Sequence, residues 1–353
     1  MTKIENSFSN KVLTWFDDHG RKNLPWQKDI NAYRVWVSEI MLQQTQVATV
    51  IPYFEKFMQS FPTVRSLANA EQDEVLKHWS GLGYYARARN MHAAAKMVCD
   101  EFDGEFPKDI ESIQTLKGIG RSTGAAILSI ANNQPEPILD GNVKRVLSRV
   151  FAVEGWSGKA DVLKKLWLLA EQTTPNKRNA DHTQAIMDLG ATLCTRSKPR
   201  CEDCPLSKDC IANADSRQAD FPTKKPKKLI PEKQAIMLII QNETTEVMML
   251  KRPPVGIWGG LWCFPQFDTE VDASAWLNDY SNDSISTASK MSLLSHTFSH
   301  FKLHIQPLII ELKNPINTAV MENQETLWYN VNTEFDGGLA APVTTLLNRL
   351  RKQ

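Results

Sequence analysis

Four cysteines lie within a segment of seventeen residues, CTRSKPRCEDCPLSKDC. Their spacing is C-x6-C-x2-C-x5-C, and they are Cys194, Cys201, Cys204 and Cys210. Four thiolates on one loop can bind a single tetrahedral zinc ion or one cubane cluster of iron and sulfide. Zinc sites more often pair two C-x2-C knuckles, and this segment has only one. The spacing alone therefore leaves both kinds of metal site open.

A glycine-rich stretch, LKGIGRSTGAAI at residues 116–127, could place backbone amides against an anion. Gly118, Gly120 and Gly124 are spaced G-x-G-x-x-x-G, which matches neither the dinucleotide fingerprint nor the phosphate loop of ATPases. The same stretch is also typical of a helix C-cap with a left-handed glycine. The turn by itself leaves an anion site and a structural cap as alternatives.

Two acidic residues stand in segments whose patterns predict structural roles. Apolar residues recur at helical spacing over 33–51, and Glu39 falls on the polar face of this predicted helix, as a solvent-facing side chain would. Asp140 stands between the apolar PIL and the helical NVKRVLSRV, which is the position of a helix N-cap. The local patterns alone assign neither carboxylate to chemistry.

The elements that must position these residues belong to a chain of 353 residues whose pattern changes once. From residue 8 to about 213 the apolar positions mostly recur at helical spacing. The segment FPTKKPKKLIPE has four lysines and three prolines, which is typical of a semi-extended linker whose lysines are either solvated or in contact with phosphates. It is followed by the β-like runs QAIMLIIQ, EVMMLKR, LSHTFSHFKLHIQPLIIEL and TLWYN, with one helix predicted near ASAWLND. We predict a helical domain at 1–220, the linker at 221–232 and a smaller α+β domain at 233–353.

The composition restricts the partners and the compartment. The 41 Lys and Arg residues balance 40 Asp and Glu residues, so a polyanion would have to be bound by local basic groups and backbone amides. The N-terminal residues lack the apolar core of a signal peptide, and no run is long enough for a membrane span. Crowding of four of the six cysteines favours a metal site in a reducing compartment over disulfides. We expect a cytoplasmic monomer without a membrane partner.

Several motifs together resemble the helix-hairpin-helix DNA glycosylases of the endonuclease III superfamily. They are the cysteine spacing after DLGATLC, the stretch LKGIGRSTGAAI and the stretch ILDGNVKRVLSR. Within that superfamily, LPWQ, VSEIMLQQTQV, GLGYYARARN and HTFSHF resemble the MutY-type adenine DNA glycosylases over nearly the whole chain. The resemblance implies that the four cysteines hold a structural [4Fe-4S] cluster and that the loop 194–210 presents basic side chains to DNA.

The resemblance also implies catalytic residues. Glu39 corresponds to the glutamate that protonates adenine at N7 and later helps to activate water, and Asp140 to the aspartate that stabilises the oxocarbenium-like sugar. For Glu39 to be protonated near neutral pH its pKa must be raised by burial, whereas Asp140 must stay ionised. Ser122 stands where the strand-cutting branch has a lysine, so we expect water to be the nucleophile and no efficient lyase step.

The DNA-binding residues are likewise implied by the resemblance. Gln44 and Tyr84 correspond to intercalating side chains, and Thr45 and Leu82 to side chains beside the opposing base. By pattern alone, Tyr84 is more typical of ordinary core packing. The hairpin would bind a DNA phosphate through backbone amides, with charge added by flanking residues. The further predicted binding residues are Lys117, Gly118, Gly120, Arg121, Ser122 and Gln184.

The second domain resembles the Nudix fold through PPVGIWGGLWCFPQF. The following DTEVDASAWLNDYSND lacks the glutamate-rich helix that holds the metal of Nudix hydrolases. The resemblance implies that this domain recognises 8-oxoguanine opposite adenine through Ser299 and His300. If HTFSHFKLHI were one strand, His296, His300 and His304 would share a side, and a solvated or DNA-facing strand accounts for them without a metal ion.

The sequence thus predicts a mainly α helix-hairpin-helix glycosylase domain with an iron-sulfur cluster loop, followed by an α+β Nudix-like domain. The predicted activity is that of a monofunctional adenine DNA glycosylase acting on double-stranded DNA with A opposite 8-oxoguanine or G. The alternatives are an endonuclease III-like glycosylase and lyase on oxidised pyrimidines, a metal-dependent nucleotide hydrolase and a noncatalytic DNA-binding protein. Ser122 opposes the first, the absent Nudix helix the second, and the pair of Glu39 and Asp140 the third.

Overall fold

The computed structural model describes residues 3–226, 229–314, 316 and 325–352, so Lys227 and Lys228 of the predicted linker lie outside the described residues. The chain divides into two compact units. The first unit is Met1–Asn69 with Asn90–Lys227, and the second is Ala70–Arg89 with Lys228–Gln353. Within the described ranges, we find no helix with the length and apolar character needed to cross a membrane.

The N-terminal part of the chain is helical, which confirms the prediction. Its helices are α1 (Lys3–His19), α2 (Ala32–Leu42), α3 (Val47–Ser60), α4 (Val64–Asn69), α5 (Gln72–His78), α6 (Ala86–Glu101), α7 (Ile110–Ile113), α8 (Arg121–Asn132), α9 (Gly141–Val150), α10 (Ala160–Thr173), α11 (Asn179–Thr192) and α12 (Ile211–Ala214), with a 3₁₀ turn at Pro25–Gln27. In the first unit, α2 packs on α8, and α11 packs on α1, α8 and α9. Fully buried side chains, among them Val12, Leu147, Leu166 and Leu189, form the core that holds these helices together.

The single helix predicted over 33–51 is wrong, because α2 and α3 are separate helices. The backbone leaves the helical region at Gln43, where ψ is 111°, and Gln44 is left-handed with a φ of 59°. The Thr45 N–H donates to the Leu42 carbonyl at 3.2 Å and closes the turn. The break places residues 43–46 in a loop between the two helices.

The glycine-rich stretch forms a hairpin between α7 and α8. Gly118 is left-handed, with a φ of 81°, and a Cβ added there would lie 2.9 Å from Asn90 Cβ. Gly120 is the N-cap of α8. A side chain at position 118 would therefore meet both backbone strain and a steric clash.

The second unit is an α+β structure, which confirms the predicted fold class. Its strands are β1 (Glu232–Gln241), β2 (Val247–Lys251), β3 (Trp262–Cys263), β4 (Gln266–Phe267), β5 (Ser289–Lys290), β6 (Leu294–Thr297), β7 (Lys302–Glu311) and β8 (Thr326–Tyr329); its C-terminal helices are α13 (Glu270–Ser281) and α14 (Ala341–Leu350), and Ile285–Thr287 is a 3₁₀ turn. Among the described residues they form one mixed sheet with the path β3-β2-β1-β7-β5, to which β4, β6 and β8 add at β1, β7 and β2.

The centre of this sheet is the parallel pair of β1 and β7, which runs from Glu232 opposite Lys302 to Gln241 opposite Glu311. The remaining pairs are antiparallel. Buried side chains of β1 and β7, such as Leu238 and Leu308, pack against Leu277 of α13. Burial of these apolar faces is the main favourable contribution to the stability of the unit.

The segment HTFSHFKLHI is not one strand. The Phe298 N–H donates to the Phe301 carbonyl at 2.8 Å, so residues 298–301 form a turn between β6 and β7. His300 therefore does not share a strand face with His296 and His304. His304 instead hydrogen bonds with Ser295 and Glu232, at 2.9 Å each.

Candidate active site

Glu39 and Asp140 line the same cleft in the first unit. Glu39 lies in the last turn of α2, and Asp140 is the N-cap of α9. The cleft has a volume of about 960 Å³, within the range of small-molecule sites. The other predicted residues that line it are Gln44, Thr45, Ser122 and Gln184. Two carboxyl groups that are more than a hundred residues apart in the chain thus meet in one site.

Glu39 as a whole is partly exposed in this cleft, while its carboxyl group is buried. Burial, together with the nearby negative charge of Asp140, raises the pKa of Glu39 from 4.5 to about 8. Glu39 is therefore protonated at neutral pH and can donate a proton. The prediction of a solvent-facing side chain from helical periodicity is wrong, because other elements of the first unit build a cleft over the polar face of α2.

The Asp140 carboxylate accepts hydrogen bonds from two N–H donors. One comes from the Val143 backbone at 2.7 Å, and the other from Asn142 Nδ2 at 3.1 Å. Burial raises the pKa of Asp140 above its ordinary value, whereas these bonds and the charge of Arg145 lower it. The Val143 N–H can only donate, and the Asn142 NH₂ group is held toward Asp140 because Asn142 Oδ1 accepts from Arg145 Nη2 at 2.8 Å. Both bonds therefore favour the ionised form and oppose the effect of burial. Within the described residues the Glu39 side chain has no such donor, so of the two carboxyl groups Glu39 is the one that holds a proton.

Ser122 lies on the cleft wall in the first turn of α8. Its hydroxyl accepts a hydrogen bond at 2.9 Å from the N–H of Leu139, the residue that precedes Asp140. The hydroxyl thus anchors the segment that leads into the N-cap of α9. The side chain at this position carries no amine that could attack a sugar.

The hairpin presents exposed groups around the start of α8. Lys117, Gly118 and Gly120 are exposed, whereas Ile119 between them is buried. The first N–H groups of a helix have no partner within the helix and carry a partial positive charge, so they favour an anion. The start of α8 therefore favours an anion, and its binding of a phosphate through backbone amides stays a prediction.

Arg121, next in the hairpin, makes contacts within the first unit. Its guanidinium is 2.7 Å from Glu171 and lies 3.9 Å from the ring centroid of Trp167. Both partners belong to α10. These contacts place the Arg121 side chain against α10, and its predicted role in DNA binding stays a prediction.

Leu82 and Tyr84 belong to the second unit, in the turn after α5. Leu82 is buried, while the ring of Tyr84 is 50% exposed and its backbone is left-handed, with a φ of 50°. Arg87 stacks on the rings of Tyr84 and Trp79 and donates to the Leu82 and Gly83 carbonyls, each at 3.2 Å. Tyr84 is thus an exposed aromatic side chain on a braced turn.

Ser299 and His300 form the exposed tip of the turn between β6 and β7. Beneath the tip, the rings of Phe298 and Phe301 stack at 4.5 Å. Further ring contacts join Phe298 to Trp258 at 5.2 Å. The aromatic contacts hold the turn so that its two polar side chains reach solvent.

The four cysteines line one cavity in the first unit. Two of the sulfur atoms accept N–H hydrogen bonds, Cys194 from Arg149 Nη1 at 3.3 Å and Cys201 from Gln218 Nε2 at 3.8 Å. In the part of the chain that the structure describes, no group of three or more His, Cys, Asp or Glu side chains is arranged around a single metal ion. Four soft thiolates around one cavity, with N–H groups on sulfur, are the donor set that suits an iron-sulfur cluster.

Arg149 ties the cysteine loop to α9, the helix capped by Asp140. It is almost fully buried and donates to the Thr195 carbonyl at 2.7 Å and to the Arg196 carbonyl at 3.1 Å. Arg145, one turn earlier on α9, donates to the Cys194 carbonyl at 2.7 Å. One helix thus positions both the catalytic candidate Asp140 and the loop 194–210.

Sequence patterns did not predict Arg21, which lines the cleft, or its buried partner Asp188. Arg21 precedes α2 and lines the cleft, while Asp188 is completely buried behind it. The position of Asp188 four residues after Gln184, on the same helical face, is the signal that could have identified it. Nothing in the local sequence indicated Arg21.

Two family models match the chain. The sequence model of the HhH-GPD superfamily base excision DNA repair proteins matches residues 37–172, and that of the NUDIX domain matches residues 235–349. The adenine DNA glycosylase of Buchnera aphidicola subsp. Acyrthosiphon pisum (strain APS) is 42% identical over 345 residues, which are 98% of each chain. The adenine DNA glycosylase of Homo sapiens is 33% identical over 89% of this chain and 69% of its own.

Among solved structures, a thermostable thymine-DNA glycosylase is 26% identical and superposes with a TM-score of 0.53 over 60% of this chain and 98% of its own. The two relatives of known sequence cover 98% and 89% of this chain, and the solved structure covers 60% of it. This chain belongs to the adenine DNA glycosylase family of the HhH-GPD superfamily.

Proposed function

We propose that the chain is a base-excision repair enzyme that hydrolyses the N-glycosidic bond of adenine in double-stranded DNA. The observation that carries the proposal is a pair of carboxyl groups in one cleft that differ in their surroundings. The pKa of Glu39 is about 8, whereas Asp140 accepts hydrogen bonds from N–H donors. The family relation supports it, and a cleft of about 960 Å³ has room for an extruded nucleotide.

The chemistry follows from the two protonation states. Adenine leaves the sugar readily only when a ring nitrogen is protonated, so the proton of Glu39 goes to N7 as the bond breaks. The sugar is left electron-poor, and the Asp140 carboxylate stabilises its positive charge. Water then adds at C1′, and its proton returns to the Glu39 carboxylate. The products are free adenine and an abasic site.

We further propose that the enzyme lacks an efficient lyase step. A lysine amine can attack C1′ and form a Schiff base. Ser122 has no amine, and its hydroxyl accepts a hydrogen bond from the backbone N–H of Leu139. This opposes the alternative of an endonuclease III-like glycosylase and lyase acting on oxidised pyrimidines.

The contacts to DNA are assigned by the same proposal. The amides around Gly118 and Gly120 bind a phosphate, with charge from Lys117 and Arg121. Gln44 and Tyr84 fill the space that the extruded base leaves, while Thr45 and Leu82 lie beside the opposing base. The exposure of Tyr84 and the left-handed backbone at both Gln44 and Tyr84 support this assignment.

We assign recognition of the opposing base, 8-oxoguanine or G, to the turn that carries Ser299 and His300. Its support is the exposed tip on stacked aromatic rings. The helix α13 follows the segment that resembles the Nudix fold, but its sequence has no glutamate-rich metal motif. We therefore propose that this domain reads a base instead of hydrolysing a nucleotide.

We also propose that Cys194, Cys201, Cys204 and Cys210 hold a [4Fe-4S] cluster, a group that homologues in this superfamily generally carry. When bound, the cluster supplies a structural cross-link for the loop 194–210. Purified protein should absorb at about 400 nm and release iron and sulfide, and a Cys204→Ser variant should lose both signals. Bound zinc without that absorbance would contradict the assignment.

The activity is tested with labelled duplexes that contain A opposite 8-oxoguanine or opposite G. We expect the strand to break at A only after alkali treatment, and we expect no breakage with Glu39→Gln. A duplex with an oxidised pyrimidine is the comparison for the alternative function. Strand breakage at A without alkali, or a covalent adduct trapped by borohydride, would contradict the proposed hydrolysis.

A further inference from the structure

A buried carboxylate, Asp188, lies behind the wall of the cleft. Its side chain is 1% exposed, and it accepts hydrogen bonds from three nitrogens of Arg21: the backbone N at 2.8 Å, Nε at 2.9 Å and Nη2 at 2.6 Å. It accepts a fourth from Gln184 Nε2 at 2.8 Å. Arg21 and Gln184 both line the cleft that contains Glu39 and Asp140. Asp188 thus joins two wall residues without facing the cleft itself.

This carboxylate determines which end of the Gln184 amide faces the cleft. The two ends of a glutamine amide are nearly identical in shape, so the hydrogen-bond partners decide its orientation. An ionised carboxylate only accepts, so the NH₂ group of Gln184 must point to Asp188. The Gln184 Oε1 atom therefore points away from Asp188, and within the described residues it has no hydrogen-bond partner.

Arg21 prevents the carboxylate from turning. Its Nε and Nη2 both donate to Asp188 Oδ1, and its backbone N–H donates to Oδ2. Because Asp188 is also on α11, four residues after Gln184, the pair is held on one helix face. A carboxylate bound at both oxygens presents a constant acceptor to the Gln184 amide.

We propose that Asp188 is a specificity-determining positioning residue, which turns the Gln184 carbonyl oxygen into the cleft as an acceptor for the amino group of the excised base. An amino group at C6 of a purine donates to this oxygen, whereas a keto oxygen at C6 can only accept and would leave both oxygens without a partner. The inference rests on the proposed function, because it assumes that an extruded purine enters this cleft.

The test compares adenine with hypoxanthine, which carries a keto oxygen at C6, each placed opposite 8-oxoguanine in the same duplex. Single-turnover excision rates are measured, and the readout is the ratio of the adenine rate to the hypoxanthine rate. In Asp188→Asn the neighbour of Gln184 can both donate and accept, so its amide can adopt either orientation. We expect the ratio to fall about tenfold, which corresponds to about 1.4 kcal/mol.

Two further variants separate positioning from a merely structural effect. Gln184→Met removes the acceptor without disturbing the bonds from Arg21 to Asp188, and it should lower the ratio by a similar factor. In the double variant Asp188→Asn, Gln184→Met the ratio should fall no further. Asp181→Asn is the matched control, because Asp181 is on the same helix but pairs with Arg178 at an exposed position, so its ratio should match the wild type.

An unchanged ratio in folded Asp188→Asn would overturn the inference, and so would two effects that simply multiply in the double variant. If Asp188→Asn does not fold, the test rests on Gln184→Met. An unchanged ratio of the adenine rate to the hypoxanthine rate in Gln184→Met would also overturn the inference. Wild-type protein that releases no adenine would instead reject the proposed function, which distinguishes the two failures.

Discussion

Replacement of Glu39 by Gln should slow adenine release by roughly 10²–10⁴ and at the same time stabilise the fold at alkaline pH. The pKa of Glu39 rises from 4.5 to about 8 on folding, because of burial and the charge of Asp140. Between these two pH values the folded protein holds a proton that the unfolded chain has lost. Stability of the wild type therefore falls as pH rises through this window, by up to about 5 kcal/mol in total. A Gln side chain is neutral at every pH and escapes this loss.

Urea unfolding of the wild type and of Glu39→Gln measures the effect. The two proteins should be about equally stable at about pH 5, and the variant should gain with each step toward about pH 8, above which the difference stays constant. Glu55→Gln is the control, because Glu55 is an exposed glutamate on α3 and its variant should follow the wild type. A stability difference that does not change between these pH values would refute the assignment of a buried, protonated Glu39.

The same group sets the pH dependence of excision. If protonated Glu39 is the acid, the single-turnover rate should be constant below its pKa of about 8 and fall about tenfold for each further pH unit. In Glu39→Gln the rate should drop by roughly 10²–10⁴ and lose this dependence. A wild-type rate that stays level well above pH 8 would contradict the role of Glu39 as the acid.

Three further predictions concern other residues. Burial lowers the pKa of His182 to about 4, so the protein should lose about 3 kcal/mol of stability as pH falls from about 6.5 to 4, and His182→Leu should flatten this slope in urea titrations. Arg87→Met should loosen the turn that carries Tyr84 and weaken binding to the mispaired duplex about fivefold in a titration, while Arg87→Lys should restore part of the loss. Ser122→Ala should leave the Leu139 N–H without its acceptor and cost about 1 kcal/mol in urea unfolding, with slower excision than in Ser122→Thr. Unchanged stability, DNA binding or excision rate in one of these variants would contradict the prediction for that residue.

The sequence was most informative where chemistry depends on local spacing. The four cysteines are close in the chain, so their position around one cavity could be predicted from C-x6-C-x2-C-x5-C alone. The hairpin glycines are equally local, and Gly118 has the left-handed backbone that its pattern indicated. Asp140 is the helix N-cap that its neighbours predicted, although an N-cap position does not indicate that the residue lines a cleft. Short-range geometry is encoded in a few adjacent residues.

Features that depend on distant parts of the chain could not be predicted in the same way. Helical periodicity assigned Glu39 to solvent, because part of the cleft wall comes from segments that follow it by eighty residues or more, such as those that carry Ser122 and Gln184. The break after α2 has no proline or glycine to mark it, and it depends on a left-handed Gln44. Asp188 lies in an ordinary helical stretch, and its importance arises from Arg21, which is far away in sequence. The resemblance to a known family supplied the catalytic roles that periodicity did not.

We propose that protonated Glu39 and ionised Asp140 release adenine by hydrolysis in this cleft. The most direct test of this proposal is single-turnover incubation with a duplex containing A opposite 8-oxoguanine, followed by chromatography of the released base and mass spectrometry of the strand. We expect free adenine in equal amount to an intact abasic strand, and both should form at least about a hundredfold more slowly in Glu39→Gln. Adenine released undiminished by Glu39→Gln, or no adenine released by the wild type, would contradict it.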